Sequence, residues 1–283
     1  MRHAILVEAS KLSNVVNANI ELLDDYRFDF FIILDSKSNL QTSDFVKPKN
    51  SRVFFVPRID IKWAHVSQVK AELSLLEFSL KTDDYDYFHI ISDSDLTLMT
   101  ADYFDNYFNE AEGKQFIHFE DFSSERRDRI NFYYPELNTN LPRLIKRAIM
   151  LASTRIQRVI GVNRIDISRT VYSGSNWVSI TGDFAAKILA KKDDYLEMFK
   201  LSRSADELIF QIGYMDVFCG DFSHVWDNNA RLIDWERGHP FVFGPENIGE
   251  LKNAVNTKFA FARKISPSNK FIKQLQERIE ETN

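Results

Sequence analysis

The chain has 283 residues, of which 44% are hydrophobic and 27% are charged, and these are the proportions of a globular protein. This length suffices for one large α/β domain or two small ones with a substantial core. The net charge of -5 argues against a dedicated nucleic-acid binder, which normally carries a basic excess. A single cysteine, Cys219, excludes an internal disulfide and a cysteine-rich metal cluster, and we expect it to be a small buried hydrophobic residue.

The N-terminal segment contains a short apolar run, from Ala4 to Val7, that is too short for the core of a signal peptide. No uninterrupted apolar segment approaches the ~20 residues of a membrane-spanning helix. These features predict a cytoplasmic protein.

The first hundred residues alternate between strand-like and helix-like apolar patterns. Apolar runs predict strands at residues 4–7, 30–34, 53–56 and 87–92. Apolar residues at three- and four-residue steps predict helices from Leu12 to Leu23 and from Val66 to Leu80. The order strand, helix, strand, strand, helix, strand predicts an α/β fold with a mostly parallel, nucleotide-binding type of sheet flanked by helices.

Two carboxylates follow the fourth predicted strand, in the segment Ser92-Asp93-Ser94-Asp95. Open α/β sheets bind their ligands at the carboxyl ends of the strands, so Asp93 and Asp95 indicate a nucleotide site. Asp and Ser also favour Asx turns and helix N-caps, and a short helix beginning at Leu96 would explain the same residues. Both interpretations are open on these residues alone.

The middle of the chain is basic, with ten Lys or Arg against four acids between Ser124 and Arg169. Apolar and basic residues alternate at helical spacing from 141 to 160, which predicts an amphipathic helix within an inserted helical region, residues 123–169. Such a helix usually buries its apolar face in the core and shows water its charged side. Contact with an anionic membrane surface or with a phosphate-bearing acceptor is the alternative. In the absence of a Gly/Pro-rich linker, we predict one domain over residues 1–283.

Polar and aromatic residues cluster at two later points. In Gly174-Ser175-Asn176-Trp177, small residues would let a ligand approach the backbone, and the indole would stack on a sugar. A turn followed by a core tryptophan fits equally well. In Ser204-Ala205-Asp206-Glu207, a cap precedes two acids that begin a helix, and acids at that position complement the helix dipole.

Charged residues also follow two further apolar stretches. One segment, Arg231-Leu232-Ile233-Asp234-Trp235-Glu236-Arg237, reads as a strand that ends in charge and an aromatic residue. In the other, Arg263 and Lys264 precede a predicted C-terminal helix in residues 266–283. By themselves these two cations are typical of an exposed surface.

Taken in order, these segments resemble the branching-enzyme family of inverting glycosyltransferases, which includes the core 2 and I branching β-1,6-N-acetylglucosaminyltransferases and the protein O-xylosyltransferases. The resemblance covers nearly the whole chain and is weakest from residue 123 to residue 169. The matching segments are His3-Ala4-Ile5-Leu6-Val7, Ile33-Leu34-Asp35-Ser36-Lys37, Trp63-Ala64-His65-Val66-Ser67, Phe88-His89-Ile90-Ile91-Ser92-Asp93-Ser94-Asp95, Gly174-Ser175-Asn176-Trp177, Asp206-Glu207, Asp234-Trp235 and Phe261-Ala262-Arg263-Lys264.

The resemblance implies a GT-A fold and direct displacement at the anomeric carbon of a UDP-sugar, by default UDP-GlcNAc, to give a β-linked product. The implied acceptor is a glycan, a glycolipid or a glycoprotein. Glu207 matches the family's catalytic base. Lys264 matches the lysine that holds the diphosphate, with Arg263 or Arg237 assisting and Asp95 near the donor. The implied sugar and acceptor contacts are Ser175, Trp177, Asp206 and Trp235.

By its spacing, Asp93-Ser94-Asp95 is also an Asp-x-Asp motif, which many GT-A enzymes use to bind Mn²⁺ or Mg²⁺. The branching family does not require a metal, and only Asp95 has a regular counterpart in its pattern. We therefore expect no cofactor and no metal ligands. The alternatives are a metal-dependent nucleotidyl or phosphoryl transferase that uses Asp93 and Asp95, and a non-catalytic sugar-binding module.

Animal members of the family are anchored in the secretory pathway, and this chain shows no anchor. We therefore expect a cytoplasmic, bacterial-type enzyme. The basic helix at residues 141–160 would bring it to the inner face of the membrane.

Overall fold

The computed structural model describes residues 1–121, 123–166 and 170–282. Its strands are β1 (His3–Ala9), β2 (Phe28–Asp35), β3 (Arg52–Ile59), β4 (Tyr87–Ser92), β5 (Asp95–Thr97), β6 (Ser179–Thr181), β7 (Arg231–Ile233) and β8 (Phe261–Arg263). Its α-helices are α1 (Asn14–Leu22), α2 (Ser67–Thr82), α3 (Ala101–Glu110), α4 (Ser124–Asn131), α5 (Arg143–Val159), α6 (Gly182–Ala190), α7 (Lys192–Phe199), α8 (Asp206–Phe218), α9 (Ile248–Ala254) and α10 (Asn269–Glu280).

The larger sheet has the strand order β3-β2-β1-β4-β6. Strands β1 to β4 are parallel, and β6 joins β4 in the antiparallel direction. Helices cover both faces of the sheet, so the central strands are buried on both faces and mostly apolar rather than alternating. This arrangement confirms the predicted α/β class with a mostly parallel, GT-A-like sheet.

Successive residues of β1 point into two different cores, as the pleat of a strand requires. Leu6 packs in the core that contains α2, α6 and α8. Ile5 and Val7 pack on the opposite side, with apolar residues of α1 and α3. The sheet therefore forms the middle layer of three.

The smaller sheet has the order β5-β8-β7, with β5 antiparallel and β7 parallel to β8. Leu96 lies in β5, which excludes the alternative of a short helix beginning at that residue, and the next α-helix begins at Ala101. The physical reason is a partner distant in sequence. Leu96 pairs with Ala262 of β8 and is buried in a third core against α9 and α10.

Arg231 of β7 ties the two sheets together through a buried guanidinium group. This group donates hydrogen bonds to Ser179 Oγ (3.0 Å) and to the carbonyl oxygens of Val178 (2.8 Å) and Asn229 (2.9 Å). It also lies over the ring of Phe261, 4.9 Å from the ring centroid. One side chain of the smaller sheet thus satisfies polar groups at β6 of the larger sheet and packs on an aromatic ring of its own sheet.

Helices α4 and α5 lie in the predicted inserted region, whose last residue, Arg169, is outside the described residues. The expectation that this helix buries its apolar face in the core is wrong for α5. Its apolar residues Leu144 and Val159 are 81% and 87% exposed. Cys219 is also exposed, not buried, because it ends α8 in a left-handed conformation at the surface. The division into one domain stays a prediction.

Across the described segments, none of the helices has both the length and the apolar character needed to cross a bilayer.

We expect Arg231→Met to lower the free energy of unfolding by at least about 2 kcal/mol, because buried oxygens lose their donors. The urea midpoint measures this loss. Arg278→Met is the matched control, since Arg278 lies on α10 and pairs with Glu281 in an exposed contact worth roughly 0–1 kcal/mol. Equal midpoints for the two variants would contradict the role given to Arg231.

Candidate functional site

Asp93 organises the loop between β1 and α1. One of its carboxylate oxygens, Oδ2, accepts hydrogen bonds from the backbone N–H groups of Ser10 (2.8 Å), Lys11 (2.8 Å) and Leu12 (3.1 Å). An acceptor of several backbone N–H groups holds a loop in place by itself. Asp93 therefore has a structural task in this fold. Among the residues that the structure describes, no group of three or more His, Cys, Asp or Glu side chains is arranged to hold a metal ion.

Asp95 is buried and forms an ion pair with Arg263 across the β5–β8 register. Its Oδ1 atom lies 2.8 Å from Arg263 Nη1, and its Oδ2 atom accepts the Ser92 N–H at 2.6 Å. The guanidinium group of Arg263 lies over the indole of Trp177, 4.1 Å from the ring centroid. Three of the predicted site residues, Asp95, Arg263 and Trp177, thus meet at the carboxyl end of β4.

Lys264 is partly buried and directly follows Arg263 at the end of β8. Burial lowers the pKa of Lys264, and the adjacent positive charge of Arg263 lowers it further, while Asp95 and Asp93 act in the opposite direction. Two cations thus follow one another at the end of β8, the middle strand of the smaller sheet.

The start of α8 lies against the loop 174–177. Gly174 donates its N–H to the carbonyl oxygen of Glu207 at 3.0 Å, and Gln211 of α8 donates to the carbonyl oxygen of Ser175 at 3.2 Å. A side chain at residue 174 would collide with the carbonyl oxygen of His118, because a Cβ atom there would lie 1.8 Å from it. Only a glycine therefore fits where the loop passes His118. At the same residue the backbone bonds to Glu207, so the loop that carries Trp177 is fixed to the start of α8.

The two acids at the start of α8 occupy different surroundings. The Glu207 side chain is 45% exposed, and its Oε2 atom forms an ion pair with Arg129 of α4. Asp206 is buried. Residue Ala205, not Ser204, is the N-cap, and it provides no side-chain cap.

Asp206 belongs to a group of three carboxyl groups that also includes the buried Glu72 of α2 and the partly buried Glu8 of β1. Burial raises the pKa of Asp206 to about 7, and the neighbouring Glu207 adds to the effect. Burial likewise raises the pKa of Glu8 to about 8, with a contribution from Asp206. The pKa of Glu72 is raised by burial and by Glu8. All three shifts are upward because removal of a carboxyl group from water disfavours its charged form.

The three acids lie between the two halves of the site. The charge of Asp206 raises the pKa of Glu8, and the charge of Arg263 lowers it. Glu72 accepts a hydrogen bond from Asn176 of the loop 174–177 at 3.0 Å. Within the described residues, one carboxyl oxygen each of Glu8, Glu72 and Asp206 finds no hydrogen-bond donor.

Two predicted residues lie apart from this group. The guanidinium group of Arg237 is held by Asp234 and Glu250, and it stacks on Phe241, 4.3 Å from the ring centroid. Trp235 is 61% exposed. The carbonyl oxygen of Phe241 accepts the Lys264 N–H at 3.3 Å, so this exposed segment borders the site on the side of Lys264.

Sequence reasoning missed Arg129, Glu8 and Glu72 as parts of the site. A signal existed for Glu8, since it is an acid at the end of an otherwise apolar strand. Arg129 and Glu72 lie on helices among other charged residues, and nothing in the local pattern separates them from a solvated surface. Trp63, which is 76% exposed beside Ala64, also borders the site, because Ala64 accepts the Ser204 N–H at 2.9 Å.

A mostly parallel sheet with charged and aromatic residues gathered at the carboxyl ends of its strands is a GT-A-like arrangement. The family model of the core-2/I-branching enzymes matches residues 23–253, and the chain belongs to this family of glycosyltransferases. Membership confirms the resemblance and implies, in general terms, a nucleotide-sugar donor and a glycan acceptor. No curated protein matches the chain.

The buried acids generate a prediction about pH and stability. Because the folded pKa of Glu8, about 8, lies above its ordinary value of 4.5, the folded state binds more protons than the unfolded state between these two values. Stability from this group is therefore fully present below the unfolded pKa and is lost as pH rises through the folded pKa. We expect Glu8→Gln to reduce the fall in melting temperature between about pH 5 and about pH 9.

Differential scanning fluorimetry across this pH range measures the effect. Glu280→Gln at the exposed end of α10 is the matched control, and its melting curve should follow that of the wild type. A Glu8→Gln profile parallel to the wild-type profile would show that Glu8 is ionised in the folded protein at neutral pH.

Proposed function

We propose that the protein is an inverting glycosyltransferase that transfers a sugar, GlcNAc by default, from a UDP-sugar to a hydroxyl group of a glycan, glycolipid or glycoprotein. The observation that carries this proposal is the placement of the half-exposed Glu207 beside the loop that presents Trp177 to Arg263. A carboxylate, an aromatic ring and a pair of cations are the groups that a sugar transfer from a nucleotide diphosphate needs.

In the proposed reaction, Glu207 accepts the proton of the acceptor hydroxyl as its oxygen attacks the anomeric carbon. The bond between that carbon and the phosphate oxygen of UDP breaks, and the electron pair leaves with the diphosphate. Attack opposite the leaving group converts an α-linked donor into a β-linked product. Arg129 contacts Oε2 of Glu207, and we assign Oε1 to the acceptor hydroxyl.

Lys264 and Arg263 would stabilise the negative charge on the departing diphosphate. The Arg263 guanidinium is held by Asp95 and by the face of Trp177, so its position is set before the donor binds. Preorganised charge is effective because it needs no rearrangement during the reaction. Arg237 is less suited to this role, since two carboxylates, Asp234 and Glu250, hold it apart from Asp95, Arg263 and Trp177.

The same contacts assign indirect roles to several predicted site residues. Asp95 would act by orienting Arg263 rather than by touching the donor. Ser175 accepts the Trp177 N–H at 3.2 Å and would set the turn that presents the indole. Asp206 would shape the floor of the site as a neutral acid, while the exposed Trp235 is free to stack on a sugar ring.

Independence of metal is part of this proposal. The backbone contacts of Asp93 and the ion pair of Asp95 support it, because each acid of the Asp-x-Asp motif already has donors around it. The same contacts argue against a metal-dependent nucleotidyl or phosphoryl transferase. A cytoplasmic location, a bacterial type and peripheral membrane contact through α5 also belong to the proposal.

We expect Glu207→Gln to reduce transfer from UDP-GlcNAc by about 10²- to 10⁴-fold, because the base is lost while the fold and the cations stay in place. Turnover of UDP-sugars and thermal stabilisation by UDP are measured in parallel, and stabilisation should be retained. Glu110→Gln, at the exposed end of α3, is the matched control with wild-type turnover. Full turnover by Glu207→Gln would contradict the assignment of the base, whereas stabilisation of the wild type by UDP without any turnover would favour a sugar-binding module.

We expect UDP to stabilise the protein equally well with and without EDTA, because Lys264 and Arg263 supply the charge that a divalent ion would supply. Thermal shift with UDP, first in EDTA and then after addition of Mn²⁺, tests this. Stabilisation that requires Mn²⁺, or complete loss of turnover in EDTA, would overturn the metal-free mechanism.

A further inference from the structure

Helix α5 is attached to the protein by its polar face. Residues Lys146, Met150, Ser153 and Gln157 follow one another at helical spacing and are partly or fully buried. Ile145, Ile149 and Ile156 lie about a quarter turn from that face, Val159 and Leu144 lie farther round, and all five are exposed. The apolar residues thus face away from the core, unlike those of an ordinary amphipathic helix.

Specific hydrogen bonds hold this reversed orientation. Gln157 accepts the Tyr133 N–H at 2.7 Å and donates to the Tyr133 carbonyl oxygen at 2.9 Å. Arg158 forms an ion pair with Asp128 of α4 at 2.7 Å. A rotation that buried the apolar face would break all three contacts, so the exposure of that face is built into the fold.

We propose that α5 docks in the plane of an anionic lipid bilayer, with its outward apolar face among the acyl chains and its cations at the lipid headgroups. The helix carries five Lys or Arg residues and no acid. Lys146 lies on the side of the protein and Arg158 pairs with Asp128, so the exposed Arg143, Arg147 and Arg155 are the cations that face the headgroups. Exposed apolar side chains combined with positive charge on one helix are the chemistry that binds such a surface. At 17 residues, or about 25 Å, the helix offers a long contact parallel to the membrane.

Charge also decides between a bilayer and a second copy of the chain. In a two-fold contact, the same face would meet itself, and the cations of one α5 would approach those of the other. An anionic membrane neutralises those cations, whereas a second α5 repels them. The bilayer is therefore the partner that fits both the apolar and the charged residues.

Docking at α5 bears on the proposed function, on which this part of the inference rests. Asp128 and Arg129 are neighbours on α4; the first pairs with Arg158 of α5 and the second with Glu207. The membrane-binding helix and the proposed base are thus linked through one short helix. A docked enzyme would hold Glu207 near the lipid surface, where a glycolipid acceptor presents its sugar.

Co-sedimentation with vesicles tests the docking surface. We expect the wild-type chain to bind vesicles of phosphatidylcholine and phosphatidylglycerol, and to bind at least tenfold more weakly to phosphatidylcholine alone or at high salt. The double variant Leu144→Glu/Val159→Glu should lose binding at least tenfold while keeping its melting temperature, because both side chains are exposed. Tyr26→Glu, at an exposed aromatic residue far along the chain from α5, is the matched control and should bind like the wild type.

Equal binding to both vesicle types, or unchanged binding of the double variant, would overturn the inference. So would a dimer in lipid-free solution that the double variant dissociates, since the face would then be an interface between copies. Glu207→Gln should bind anionic vesicles like the wild type. Failure of the proposed reaction and failure of the docking surface are therefore separate results.

Discussion

The buried ion pair between Asp95 and Arg263 is the interaction on which the geometry of the site depends. It lies in the register of β5 and β8 and includes the N–H of Ser92 at the end of β4. Stacking of Arg263 on Trp177 adds the loop 174–177 to the same point. Removing one charge would leave the other buried and uncompensated, which typically costs several kcal/mol. The end of β4, the smaller sheet and the loop thus meet at this pair, while Arg231 provides a second link between the two sheets.

Around this pair, the fold accommodates acidic side chains in two different ways. Glu207 is half exposed and carries its own counter-ion, Arg129. Glu8 and Asp206 are shielded from water, and burial raises their pKa values to about 8 and about 7. The neighbouring acids Asp206 and Glu207 therefore differ in exposure and in their partners, and the proposed base lies beside acids whose pKa values are raised.

Helix α5 shows how far an apolar pattern can be interpreted. The spacing from 141 to 160 correctly predicts a helix with an apolar face, since the helical repeat gathers those residues on one side. It does not tell which side meets the protein. The orientation of the helix comes from Gln157 and Arg158. Gln157 bonds to the backbone of Tyr133, and Arg158 pairs with Asp128 of α4, and both partners lie elsewhere in the chain. The apolar face of α5 is consequently exposed at the surface of the protein.

The sequence by itself determined the order of strands and helices, the mostly parallel sheet and the family, because these follow from local period and from motifs in order. Only the tertiary structure decided that Leu96 lies in a strand, that Asp93 holds a loop, and that Arg263 rather than Arg237 adjoins Asp95. Each of these outcomes depends on a partner far away in sequence. The chemical type of a side chain limits which groups it can bind. Which of these groups lies next to it depends on how the fold brings distant segments together.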